Sequence, residues 1–150
     1  MADQNKRRRA VEDVMRAVMT GEIGSIANLF YPGAVFLQRS NAGVIDAPWF
    51  ERMEGEFHLA GEEQTTAFLQ ELLKRASYMS YEIRGLVCED DEAASRCDWS
   101  RRDENTGTIV TGTTMYWFGF SSDDRIKSLE TVGAIHSVLP RRKVSERTAS

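Results

Sequence analysis

Between Ala93 and His136, apolar and polar side chains alternate with period two in three runs, the spacing of half-buried strands. They predict strands over Ala94–Trp99, Gly107–Phe120 and Arg125–Val138, the last reached through the turn Ser121-Ser122-Asp123-Asp124. A fourth strand is expected upstream over Met79–Cys88, with Met79, Tyr81, Ile83 and Val87 on one face and Glu82 and Arg84 on the other. An acidic turn, Glu89 to Glu92, joins it to the next strand. A four-residue loop at Asp91–Ala94 would set Cys88 opposite Cys97 and Val87 opposite Asp98, turning Arg96 and Asp98 toward the apolar side. A slip of one residue reverses that assignment.

The first half of the chain changes period. Val11, Val14, Met15, Val18 and Met19 recur at helical spacing, with Gly21 placed as a C-cap. A short second helix is expected around Ile23, Ile26, Ala27 and Phe30, ended by Pro32-Gly33, and then a short strand over Ala34–Gln38. Asp46 could cap a short helix carrying Trp49, Phe50, Met53 and Phe57, either a core helix or a lid over a pocket. A third helix is expected over Glu62–Ala76, with Thr65, Phe68, Leu69, Leu72, Leu73 and Ala76 on one face. The tail after Leu139 is polar.

Composition narrows the class. A chain of 150 residues, 41% hydrophobic and 28% charged, suits one globular domain, with its core over about 8–138. No window approaches the roughly 20 apolar residues of a membrane helix, and no apolar run follows the basic N-terminal cluster, so a cytoplasmic protein is expected. The net charge of -4 argues against a nucleic-acid partner. The clusters Lys6-Arg7-Arg8-Arg9 and Arg141-Arg142-Lys143 read as solvated termini. Two cysteines and two histidines give no metal framework, and neither a metal nor an organic cofactor is expected.

The chemistry-bearing pair is Arg96-x-Asp98, whose side chains share one strand face. Turned toward an apolar face, it could serve in acid–base catalysis; it could equally be a structural salt bridge.

The order of elements carries a family likeness. Gly21-Glu22 breaks a first helix, Leu29-Phe30 ends a second, and Pro32-Gly33 turns into a strand. Gly61-Glu62-Glu63 then opens a helix, Thr106-Gly107 marks a hairpin, and Asp124-Arg125-Ile126 leads into the last strand. Over residues 8–138 this resembles the nuclear transport factor 2-like superfamily, which includes SnoaL-like polyketide cyclases, ketosteroid isomerase, scytalone dehydratase and limonene epoxide hydrolase. The resemblance implies an α+β fold, a cone-shaped curved antiparallel sheet wrapped around about three N-terminal helices, with a pocket inside. It also implies a homodimer through the outer sheet face, toward which Trp99 and Trp117 are expected to point.

Carried over residue by residue, the ketosteroid isomerase tyrosine and base fall on Val14 and Gln38, and its last acidic position on Tyr116, which does not support that reaction. No histidine falls at the dehydratase positions. Limonene epoxide hydrolase fits more closely. Its Arg-x-Asp resembles Arg96-Cys97-Asp98, its amide falls on Gln38 and its tyrosine on Phe36. Its second aspartate falls on Thr131, while Glu130 alternates to the opposite face. The resemblance thus implies Asp98, Arg96 and Tyr116 as catalytic residues. Gln38, Thr131, Phe36, Met15, Trp49, Tyr81 and Phe118 would hold a hydrophobic small molecule for cyclisation, isomerisation, dehydration or epoxide opening. The competing reading is a non-catalytic ligand-binding or association module.

Overall fold

The computed structural model describes residues 3–20, 26–40, 55–59, 63, 64, 66, 67, 70, 77–102 and 106–139; the side chains at 38–40, 55–59, 77–79 and 138 lie outside that description. The helix α1 spans Gln4–Thr20. Asp3 caps it, its side chain accepting from the Lys6 amide at 3.1 Å. Val11, Val14 and Met15 are fully buried, as their spacing requires. A single 3-10 turn, Ile26–Leu29, replaces the short second helix. Glu63, Gln64, Thr66, Ala67 and Gln70 are helical, within the expected third helix. The expected helix around Trp49 is corrected at its end, because Phe57 lies in a strand; Trp49 itself lies outside the described residues. Among the described residues one continuous α-helix, α1, is delimited, rather than about three.

Among the described residues, six strands form one unclosed, curved sheet. They are β1 (Phe30–Ser40), β2 (Gly55–Leu59), β3 (Ser77–Glu89), β4 (Glu92–Arg102), β5 (Ile109–Phe120) and β6 (Ile126–Leu139), in spatial order β2-β1-β6-β5-β4-β3. All neighbours are antiparallel except β1 and β6, which run parallel, so the sheet is mixed rather than wholly antiparallel. One face carries the core. Ala93, Cys97 and Trp99 of β4, Tyr116, Phe118 and Phe120 of β5, and Leu129 and Ile135 of β6 pack there with α1. This is called the inner face below.

The β3–β4 hairpin departs from the expected register, and the cause is local. Its turn has two residues, Asp90 and Asp91, between the paired Glu89 and Glu92. Continued without interruption, this pairing would set Asp98 opposite Ile83. Gly85, at φ 68°, instead inserts an extra residue between the pairs Arg84↔Arg96 and Leu86↔Ser95. A glycine in the left-handed region is the usual device for such a bulge. Below it, Glu82 faces Asp98 and Ile83 faces Cys97. Arg96 and Asp98 thus pair with Arg84 and Glu82 on the outer face, while the alternate β4 residues Ala93, Cys97 and Trp99 take the core side.

Arg7 overturns the reading of its cluster as a solvated terminus. It is 1% exposed and ties α1 to two hairpin tips. Its Nε donates to Asp124 Oδ1 at 2.7 Å, Nη1 to the Asp90 carbonyl at 2.5 Å and to Asp91 Oδ1 at 3.2 Å, and Nη2 to the Ser121 carbonyl at 3.1 Å. The guanidinium also lies 5.2 Å from the centre of the Phe120 ring. Burial works against its charge, but Asp124 and Asp91 hold its pKa above the ordinary value. In return, Arg7 holds the Asp124 carboxyl below its ordinary range, against the opposing effect of burial.

Candidate functional site

Thr131, Tyr116 and Ser95 form a polar row on the inner face, and backbone register extends the line to Gln38. Gln38 pairs with Thr131, Thr131 with Tyr116, Tyr116 with Ser95, and Ser95 with Leu86. Thr131 is 6% exposed, Tyr116 4% and Ser95 4%. The Ser95 hydroxyl donates to the carbonyl of Gly85 at 2.7 Å, so the bulge in β3 fixes one end of the row. Tyr116 stacks on Phe118, with ring centres 6.2 Å apart and planes 15° apart. Phe36 is buried nearby in β1, two residues before Gln38.

The structure therefore brings Tyr116 and Thr131 together and places Gln38 in line with them by register. It does so less openly for the other expected wall residues. Met15 and Phe118 are 0% exposed and pack as core, presenting no accessible surface to a ligand. Tyr81, opposite Trp99 on the edge strand β3, is 39% exposed.

Further along β4 is a second feature that the sequence reading missed. Trp99 is 3% exposed on the inner face, correcting its expected outward position. Its indole N–H donates to Thr114 Oγ1 at 2.9 Å. Its ring occupies the space above Gly112, where a Cβ would come within 2.6 Å of Trp99 Cζ2. Arg101, also buried, stacks over the Trp99 ring at 4.7 Å. The inward arginine of β4 is thus Arg101, not Arg96. The alternation Cys97, Trp99, Arg101 was the signal that could have found it. Between them, Cys97 is fully buried, and burial pushes its thiol up to about 11, so it is not a nucleophile near neutral pH.

Asp98 and Arg96 instead form an ionic network on the outer face. Arg96 Nε and Nη2 reach the two carboxylate oxygens of Asp98 at 3.0 and 3.3 Å, and Arg84 Nε approaches at 3.3 Å. The Thr113 hydroxyl donates to Asp98 Oδ1 at 2.7 Å, and Thr113 Oγ1 lies 2.7 Å from His136 Nε2. Since the single hydroxyl proton goes to Asp98, His136 Nε2 is the donor to Thr113. The Thr113 hydrogen bond, then Arg96, lowers the Asp98 pKa against the effect of burial. A general acid needs the opposite shift. The inward catalytic placement of Asp98 and Arg96 is therefore corrected. Around this network Met115, Trp117 and Val132 are 48, 51 and 44% exposed. A depression of about 170 Å³ beside Trp117 is lined also by Val87, Ala94 and the acidic Glu89, Asp90 and Glu92.

A family model described as a SnoaL-like domain matches residues 11–129. The chain belongs to the SnoaL-like family. Solved structures agree on the fold. An NTF2-like protein from Burkholderia xenovorans LB400 superposes with TM-score 0.67 at 13% identity, covering 87% of this chain and 91% of that one. An LEH-like epoxide hydrolase from M. tuberculosis gives 0.61 at 12% identity, with coverage of 88% and 85%. The epoxide hydrolase/cyclase-like enzyme SalBIII, of pyran ring formation in the polyether salinomycin, gives 0.62 at 16% identity, with coverage of 94% and 100%. No protein of curated function matches the sequence. This SnoaL-like chain thus has the NTF2-like fold, shared with epoxide hydrolase and cyclase-like enzymes. No helix among the described residues is long and apolar enough to cross a membrane.

Proposed function

We propose that this SnoaL-like chain, as a single domain in the reducing cytoplasm, is an enzyme for a hydrophobic, oxygen-bearing small molecule held against the inner face. Tyr116 donates a hydrogen bond or proton to the substrate oxygen, and Thr131 and Gln38 orient it. The observation supporting this is the row Thr131, Tyr116 and Ser95 on the inner face, with Gln38 the backbone register partner of Thr131. A neutral phenol is a donor, and a donor aimed at developing oxygen charge contributes most where water is excluded. The reaction class is cyclisation, isomerisation, dehydration or epoxide opening, the chemistries of the family. Among the described inner-face residues there is no carboxylate, so the aspartate-centred mechanism has no support.

The test is product formation from panels of epoxides and cyclic enones, followed by mass spectrometry. Tyr116→Phe should reduce turnover by about a hundredfold or more, whereas Asp98→Asn should leave it within about twofold, since it touches no inner-face group. The reverse result would return the chemistry to the outer face and sink this assignment.

A homodimer through the outer face is a second element of the reading. It is supported by the neighbouring exposed side chains Met115 and Val132, which are register partners, and by Trp117.

A further inference from the structure

Two features stand outside the reading above: the depression at one end of the outer face and a basic run beyond the other end. The depression is lined by Val87, Ala94 and the exposed ring of Trp117, together with Glu89, Asp90 and Glu92. Glu92 Oε1 accepts the Trp117 indole N–H at 3.3 Å, which ties the ring to the carboxylates. Among the described residues, no Lys or Arg side chain pairs with these three carboxylates. An aromatic face beside uncompensated carboxylates suits a guanidinium or ammonium group, which it meets by stacking and by ion pairing. Three such groups stand together in Arg141-Arg142-Lys143, two to four positions after Leu139, the last residue of β6.

Distance decides which copy of the chain they reach. Leu139 is the register partner of Ile109, and Trp117 lies eight residues further along β5, roughly 27 Å. Four residues of chain and a long side chain span about 20 Å at most, so the run falls short of the depression in its own chain. Pairing two outer faces about Met115 and Val132 changes the distance. With the strands of the two copies antiparallel, Trp117 of one overlies the level of Thr113 in the other, since each lies two residues from Met115. That level is four residues, about 13 Å, from the partner of Leu139. The β4 lining of the depression is two strands across from β6, about 10 Å, which leaves a diagonal of about 16 Å, within reach. We infer that a second copy packs antiparallel across the outer face and seats its Arg141-Arg142-Lys143 in this depression, a contact that two-fold symmetry repeats at both ends. The inference rests on the outer-face dimer proposed above and names what fills the depression.

Charge exchange between two full-length chains tests it. One carries Glu89→Lys with Glu92→Lys; the other carries Arg141→Glu, Arg142→Glu and Lys143→Glu. Either chain alone sets like charges against each other at both ends of its dimer, and its dissociation constant in sedimentation equilibrium should rise at least about tenfold. Mixed together, each depression meets a tail of opposite sign, and the heterodimer should return to within about threefold of the wild-type constant. A tail reaching its own depression would gain nothing from mixing, so a heterodimer no tighter than either parent overturns the inference. Unchanged dimerisation of both variants also overturns it while leaving the outer-face dimer standing. A wild type that stays monomeric at every concentration removes the dimer and the inference together. Should the Glu89→Lys, Glu92→Lys chain not fold, salt decides with the tail variant. The wild-type dimer should loosen as salt rises, and the tail variant should tighten. The same salt response in both would overturn the inference.

Discussion

Asp98 is held by Thr113, Arg96 and Arg84 on a surface that solvent reaches, its side chain 29% exposed. Its folded pKa is lowered, first by the Thr113 hydrogen bond. A carboxyl depressed in the folded state adds stability that is present above the unfolded pKa of about 3.9 and is lost as pH falls through the folded value. The melting-temperature difference between wild type and Asp98→Asn should therefore be constant from pH 8 to about pH 5 and shrink below about pH 4. A difference that grows on acidification would mean that the carboxylate is strained rather than held. At this scale the sequence was half legible. Arg-x-Asp is visible as a pair on one strand face, and Glu130 does oppose Thr131, its register partner being Trp117 on the outer side. Which β3 residues face Asp98 depends on a glycine thirteen residues away in sequence, which no reading of the pair itself can supply.

At the scale of elements, that glycine is decisive. The strands β3 to β6 were readable from alternation because each buries one face and wets the other. Their order matched, with ends displaced by a few residues. Alternation assumes an unbroken ladder, however, and Gly85 breaks it, so residues on either side of it exchange faces: Val87 points outward, 65% exposed, while Leu86 packs inward. A Cβ at Gly85 would meet nothing within 4 Å, so the cost of substitution comes from φ 68° alone. Gly85→Ala should lower stability by about 1 kcal/mol, a fall in Tm of roughly 2–4 °C. Unchanged stability would mean that the bulge is not fixed by glycine. The helices were less legible for another reason. The 3.6 period marks α1 well, but a short apolar run such as the one ending at Phe57 fits helix or strand equally.

Across the whole molecule, two features join distant parts. The first is the outer face. If Trp117, Met115 and Val132 form the contact between two copies, Trp117→Lys should turn a dimer into a monomer in sedimentation equilibrium without lowering helix or strand content. Identical mass for both proteins would rule out that surface. The second is Arg7, which joins the helix to both the Asp90–Asp91 and Ser121–Asp124 turns. Its burial had a trace in the sequence, since Arg7 precedes Val11 by four and so falls on the apolar stripe; the neighbouring basic residues obscured it. Arg7→Met leaves Asp124 without its buried cationic partner and should cost about 3 kcal/mol, a loss of roughly 10 °C in Tm. A change of under about 1 kcal/mol would make the clasp incidental.

The same clasp has a consequence in time. Arg7 meets Asp90 and Asp124 across 83 and 117 residues of chain, so its bonds can form only after both hairpins have turned and found the helix. Contacts spanning such loops belong to the late side of the folding barrier. In a chevron measurement, Arg7→Met should therefore steepen escape from the native state, raising the unfolding rate severalfold, with the refolding limb almost unmoved. A slowed refolding limb would instead place the N-terminal helix in the folding nucleus.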